Sequence, residues 1–132
     1  MKKLIAAVLA AALLIALAAC GSAVAIGGFS SIYLDSEDYD AAVDIVVDTF
    51  KEYEGCTLKK VGYAGDEAVK AEAEARGLAP EQVIVLTSVF STDGKDHGTV
   101  FEPNRTYEDY RWILTREEFF GPFWEIADRG FN

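Results

Sequence analysis

The chain of 132 residues holds 22 acidic and 12 basic side chains, a formal net charge of −10. So acidic a surface repels phosphate and anionic lipid head groups, which argues against a nucleic-acid partner and against membrane attachment by charge. One histidine and two cysteines are too few for a transition-metal centre, no cofactor motif is present, and the length suits one domain.

The first segment differs in kind from the rest. Met1-Lys2-Lys3 is basic, and Leu4 to Ala19 is an uncharged apolar run of 16 residues. That is the layout of an export signal, and it is shorter than the roughly 20 residues a spanning helix needs. Leu17-Ala18-Ala19-Cys20 follows directly. It resembles the lipobox of bacterial lipoproteins. The resemblance implies that the Cys20 sulfur receives a diacylglyceryl group, that the peptidase cuts between Ala19 and Cys20, and that the mature protein stays on the outer face of the cell membrane. A thiolate is the ordinary side chain nucleophilic enough for that alkylation, and two or more acyl chains anchor stably where one is marginal. Gly21 and Ser22 follow the cysteine, with no Asp to mark inner-membrane retention, which favours onward export if the host has an outer membrane. Ordinary secretory cleavage after Ala16-Leu17-Ala18 is the alternative.

Removing residues 1–19 leaves 10 basic against 22 acidic residues, a mature charge of −12. Lipid then supplies the membrane attachment that charge opposes. Cys56 becomes the only unmodified thiol, so the domain must fold without an internal disulfide, and a small buried hydrophobe is its natural role. The expected organisation is a signal peptide over 1–19, a lipidated cysteine and short tether over 20–31, and one extracytoplasmic domain over 32–132. Val24, Ile26 and Phe29 are the tether residues able to dock on the domain.

Asp35 or Ser36 can cap a first helix over 37–54, whose apolar stripe runs through Tyr39, Ala42, Val43, Val46, Val47, Phe50 and Tyr53, with Gly55 as its stop. A strand follows over 57–63, with imperfect alternation at Lys60-Val61-Gly62 that suggests a bulge. An Asp-capped second helix over 66–76 ends at Gly77 and carries few large apolar residues, so it should lie loosely on the sheet. The apolar run over 82–91 reads as a central strand covered on both faces. A polar loop over 92–106, a strand over 107–116, a turn over 117–122 and a strand over 123–129 complete the chain. The fold class is α+β: a long helix on a curved, mainly antiparallel sheet of about four strands, with a second short helix.

That element order is similar to the cystatin-like and nuclear-transport-factor-2-like cone folds. Glu54-Gly55-Cys56-Thr57-Leu58, Glu102-Pro103-Asn104-Arg105-Thr106-Tyr107 and the ending Arg111 to Arg116 with Trp124 to Phe131 also resemble small lipoproteins of unknown function from Gram-positive gut bacteria. The resemblance implies a fold and no activity. The turn before the last strand is Gly-rich in that group, whereas here it is Glu117-Glu118-Phe119-Phe120-Gly121-Pro122.

Four constellations could carry function. Asp40, Asp44, Asp48 and Glu52 form an acidic ridge that fits a basic protein partner, or simply a solvated helix back. Asp93, Asp96 and His97 share the polar loop without the length or spacing of a calcium loop. Tyr110, Trp112, Phe123 and Trp124 could line a ligand pocket or fill the core. Asp128, Tyr110 and His97 are the candidates for proton transfer were a pocket enclosed. The leading expectation is a non-enzymatic, lipid-anchored binding or accessory domain. The alternatives are a small pocket enzyme of the cone fold and a structural envelope lipoprotein.

Overall fold

A computed structural model describes residues 24–98 and 100–131. The segment expected to be a signal peptide with a lipobox, Ala19 and Cys20 included, lies outside the described residues.

The domain is α+β, with two helices on a five-stranded mixed sheet. Its elements are β1 (Ala25–Ile26), α1 (Ser36–Phe50), β2 (Cys56–Tyr63), α2 (Asp66–Arg76), a 3-10 turn at Pro80–Gln82, β3 (Val83–Thr92), β4 (Thr106–Thr115) and β5 (Glu125–Phe131). The strands lie in the order β1-β2-β3-β4-β5. From β2 onward they form an antiparallel meander, while β1 joins the edge in parallel, Ala25 opposite Lys60 and Ile26 opposite Val61. The sheet therefore has one strand more than sequence suggests.

Asp35 caps α1, its carboxylate accepting from Asp38 N–H while the Asp38 carboxylate accepts from Asp35 N–H. The helix is four residues shorter at its C-terminus than its apolar stripe predicts. Lys51 N–H turns back to Asp48 and Thr49 carbonyls, and Tyr53 C=O accepts from Cys56 N–H, so 51–55 form the turn into β2. The second helix has the predicted span and its left-handed Gly77 stop, yet Gly65 is the N-cap and offers no side chain. Asp66 is instead the first helical residue, with its carboxylate committed elsewhere. The bulge in β2 falls at Lys59, between Leu58 and Lys60.

The helices cover opposite faces. Val43, Val46 and Phe50 of α1 join Leu86, Phe90, Tyr110, Trp112 and Leu114 in one cluster, with Phe50 5.1 Å from Phe90 and 6.3 Å from Trp112 between ring centroids. Arg129 sits over the same Trp112 ring. Its neighbour Asp128 points to the other face by strand alternation, where Arg76 of α2 meets it at 4.0 Å. Two covered faces explain why Val83, Ile84, Val85 and Leu86 are all fully buried. Nor does α2 lie loosely: Val69 and Ala73 are sealed against the sheet.

From Val24 on, the segment read as tether is part of the domain. Gly27 N–H donates to Val61 C=O, Tyr39 Oη donates to Gly27 C=O at 2.8 Å, and Phe29 stacks on Tyr39 at 4.7 Å. Asp66 then clamps the strap: it accepts from Ser31 Oγ at 2.5 Å, from Tyr63 Oη at 2.5 Å and from Ile32 N–H at 2.9 Å. Partial burial alone would raise the Asp66 pKa, but these donors outweigh it and hold the carboxyl below its usual 3.8. A depressed folded-state pKa means the clamp is fully formed above the unfolded value and is lost as pH falls through the lower folded one. Asp66→Asn should cost about 1–2 kcal/mol in denaturant unfolding. Amide exchange over 27–32 should accelerate in that variant at pH 7, and in the native chain only below pH ~4.

Candidate functional site

The proton-transfer candidates are dispersed. Tyr110 lies under α1, its hydroxyl 3.2 Å from that of Tyr53. Burial, then the bond to Tyr110, pushes the Tyr53 phenol upward, which suits a structural hydroxyl pair better than a base. Asp128 is on the opposite face, paired with Arg76. His97 sits in the β3–β4 loop, its Nε2 3.0 Å from both carboxylate oxygens of Asp93. Lys95 N–H, then His97, holds the Asp93 carboxyl below its ordinary range. The sheet itself separates Asp128 from Tyr110.

The Asp93–His97 pair belongs to the β2 entry. Asp93 N–H donates to Gly55 C=O, and Asp93 C=O accepts from Asn104 N–H, closing the loop on itself. Gly55 has φ +74, and a Cβ there would collide with the His97 ring. Gly55→Ala should therefore cost about 1–3 kcal/mol, read from the denaturant midpoint. Beside it, Cys56 is half-buried, and burial followed by the Asp93 charge pushes its thiol up, which makes it a poor nucleophile. Among the described residues no group of three or more His, Cys, Asp or Glu side chains is placed to hold a metal ion.

Trp112 and Trp124, the residues considered for lining a ligand pocket, are both core. Trp112 is 0% exposed, and its Nε1 donates to Ser88 Oγ, which in turn donates to Tyr110 C=O. Trp124 is buried with the Arg116 guanidinium 4.2 Å from its ring centroid. Phe123, grouped with them by sequence, points into solvent instead.

The surface carries the rest. Asp40, Asp44 and Asp48 are exposed along α1, and Glu52 falls past its end, so the ridge has three helical members. Asp40 and Asp44 overlook a cleft of about 890 Å³ between α1 and the β1–β2 edge, floored by Val24, Ile26, Val43, Val47 and Leu58.

The opposite end of the sheet holds an assembly that the residue pattern did not reveal. Arg116 is 6% exposed and Asp38 8%, and Arg116 Nη1 donates to Asp38 Oδ1 at 2.6 Å. The same guanidinium donates to the Glu81, Phe119 and Gly121 carbonyls at 2.7–2.9 Å. It thereby fixes the 117–122 turn, in which Phe119 and Phe120 stand 56% and 78% exposed, with Phe123 just past it at 83%. Three phenylalanines within five positions of a polar turn were the available signal for it.

Compared with protein-family models, curated proteins and solved structures, the chain has no significant match. Among the described residues no helix is long and apolar enough to cross a membrane.

Proposed function

We propose that this chain is a lipid-anchored bacterial envelope protein whose domain, on the outer face of the membrane, binds another molecule through its surface. The binding half rests on one observation. The space between α1 and the sheet is filled by Phe50, Phe90, Tyr110 and Trp112, whereas the exterior offers an apolar cleft rimmed by Asp40 and Asp44. Acidic rims around apolar floors suit a basic protein partner, so the exposed α1 ridge enters this reading as one docking face.

The anchoring half rests on Leu17-Ala18-Ala19-Cys20 after an uncharged run too short to span a bilayer. The cystatin-like or cone-fold likeness belongs to the same proposal; a long helix across an antiparallel meander supports it, and α2 on the reverse face is an addition to it. Labelled palmitate should enter the native protein and not Cys20→Ala, and the variant should leave the membrane fraction. An unlabelled native protein sinks the anchoring half.

A further inference from the structure

The Phe119–Phe123 turn is fastened in its backbone and bare in its side chains. Besides the Arg116 bonds, Gln82 Nε2 donates to Glu117 C=O at 2.8 Å, and Gly121 takes φ +108 to turn the chain. Loose apolar loops fold their rings inward; here a buried cation holds the carbonyls in, which leaves the rings out. Phe120 and Phe123 form one wall of a groove of about 720 Å³ whose rim carries Glu117, Glu118 and Glu125. Aromatic faces beside carboxylates match a side chain with an apolar stem and a cationic head.

We propose that this tip is a docking surface for a protein partner presenting a basic segment, with a Lys or Arg stem lying on Phe120 and Phe123 and its head meeting the glutamates. Charge and position both select this occupant. A bilayer surface bearing anionic lipid is repelled by the glutamate rim, and a second copy brings another net charge of −10. The described chain also begins beside Lys59, toward the far end of the sheet: Ala25 pairs Lys60, whereas the tip follows Thr115, which pairs Val83 and Glu125. An anchor N-terminal to Val24 thus leaves the tip facing outward. That last step rests on the anchored reading; the chemistry of the groove does not.

The test is photocrosslinking of the full-length chain bearing Phe120→p-benzoylphenylalanine in the cells that make it. The expected result is a discrete protein adduct whose crosslinked peptide contains Lys or Arg. Its yield should fall about tenfold in Phe119→Ser/Phe123→Ser and in Glu117→Lys/Glu118→Lys, the scale of a lost hot spot, and should hold in Glu108→Gln, an exposed acid on β4 that belongs to neither surface. Thermal melts of the serine variant should match the parent, since these rings pack against little. A lipid adduct, an adduct with a second copy, a protein adduct indifferent to charge reversal, or no adduct overturns the proposal. Palmitate label in the same cells separates the two readings: label without a Phe-dependent adduct removes only the docking surface, and the adduct without label removes only the anchor.

Discussion

Arg116→Met should destabilise the domain by about 3–5 kcal/mol, the largest loss expected from any single polar substitution here. The guanidinium is buried with the Asp38 carboxylate, and Met would leave that charge with the Asp35 N–H as its remaining donor. Three carbonyls, of Glu81, Phe119 and Gly121, would lose their donor at the same time. Arg116→Lys should recover little, because one ammonium cannot reproduce a planar fork that reaches four acceptors and stacks on Trp124. Asp38→Asn removes the charge but keeps an acceptor, so it should cost less. The double variant should cost less than the sum, since each single change strands the other's charge. Denaturant midpoints at constant m-value are the measurement. Equal stability of Arg116→Met and the parent would mean that the guanidinium is solvated rather than structural.

Trp112→Ala should cost a similar ~3–5 kcal/mol by leaving a cavity at the centre of the sheet. Its ring lies 5.6–6.3 Å from those of Tyr110, Tyr53 and Phe50, edge-on or tilted to each, with Arg129 over it, and large rings packed from several sides collapse poorly into a void. Two gentler variants divide the loss. Trp112→Phe keeps most of the volume and frees Ser88 Oγ, which still donates to Tyr110 C=O, so about 1–2 kcal/mol is expected. Ser88→Ala keeps the indole and strands its buried Nε1, for about 1–3 kcal/mol. A Trp112→Ala variant with the parent's midpoint would mean that the ring sits in space that closes without it.

Local chemistry made several elements legible. The span of α2 follows from acids at its start and a Gly77 able to take φ +67 at its end, signals that need no partner. The dense apolar run made β3 recognisable as central. Where the reading overran, a local signal competed with pairing: the stripe of α1 continues through Tyr53, but Cys56 must turn to pair Thr92. The two residues of β1 have no periodicity to read, and they are a strand only because β2 offers them an edge.

The acidic charge, the basic start and uncharged run ahead of Cys20, and the α+β class are legible in the sequence alone, because composition and short-range periodicity are properties of neighbours in the chain. Tertiary structure alone decided which groups share a site. The α1 C-terminal half, Tyr110 and Trp112 meet on one face while Asp128 turns to the other, through an alternation that register fixes and spacing does not. Likewise Arg116 reads as an ordinary charge at a strand end until its partner, 78 positions away, arrives to bury it. That contact converts a polar turn into a rigid mount for three exposed rings. Long-range pairing in low dielectric made the difference, and no window of neighbouring residues contains it.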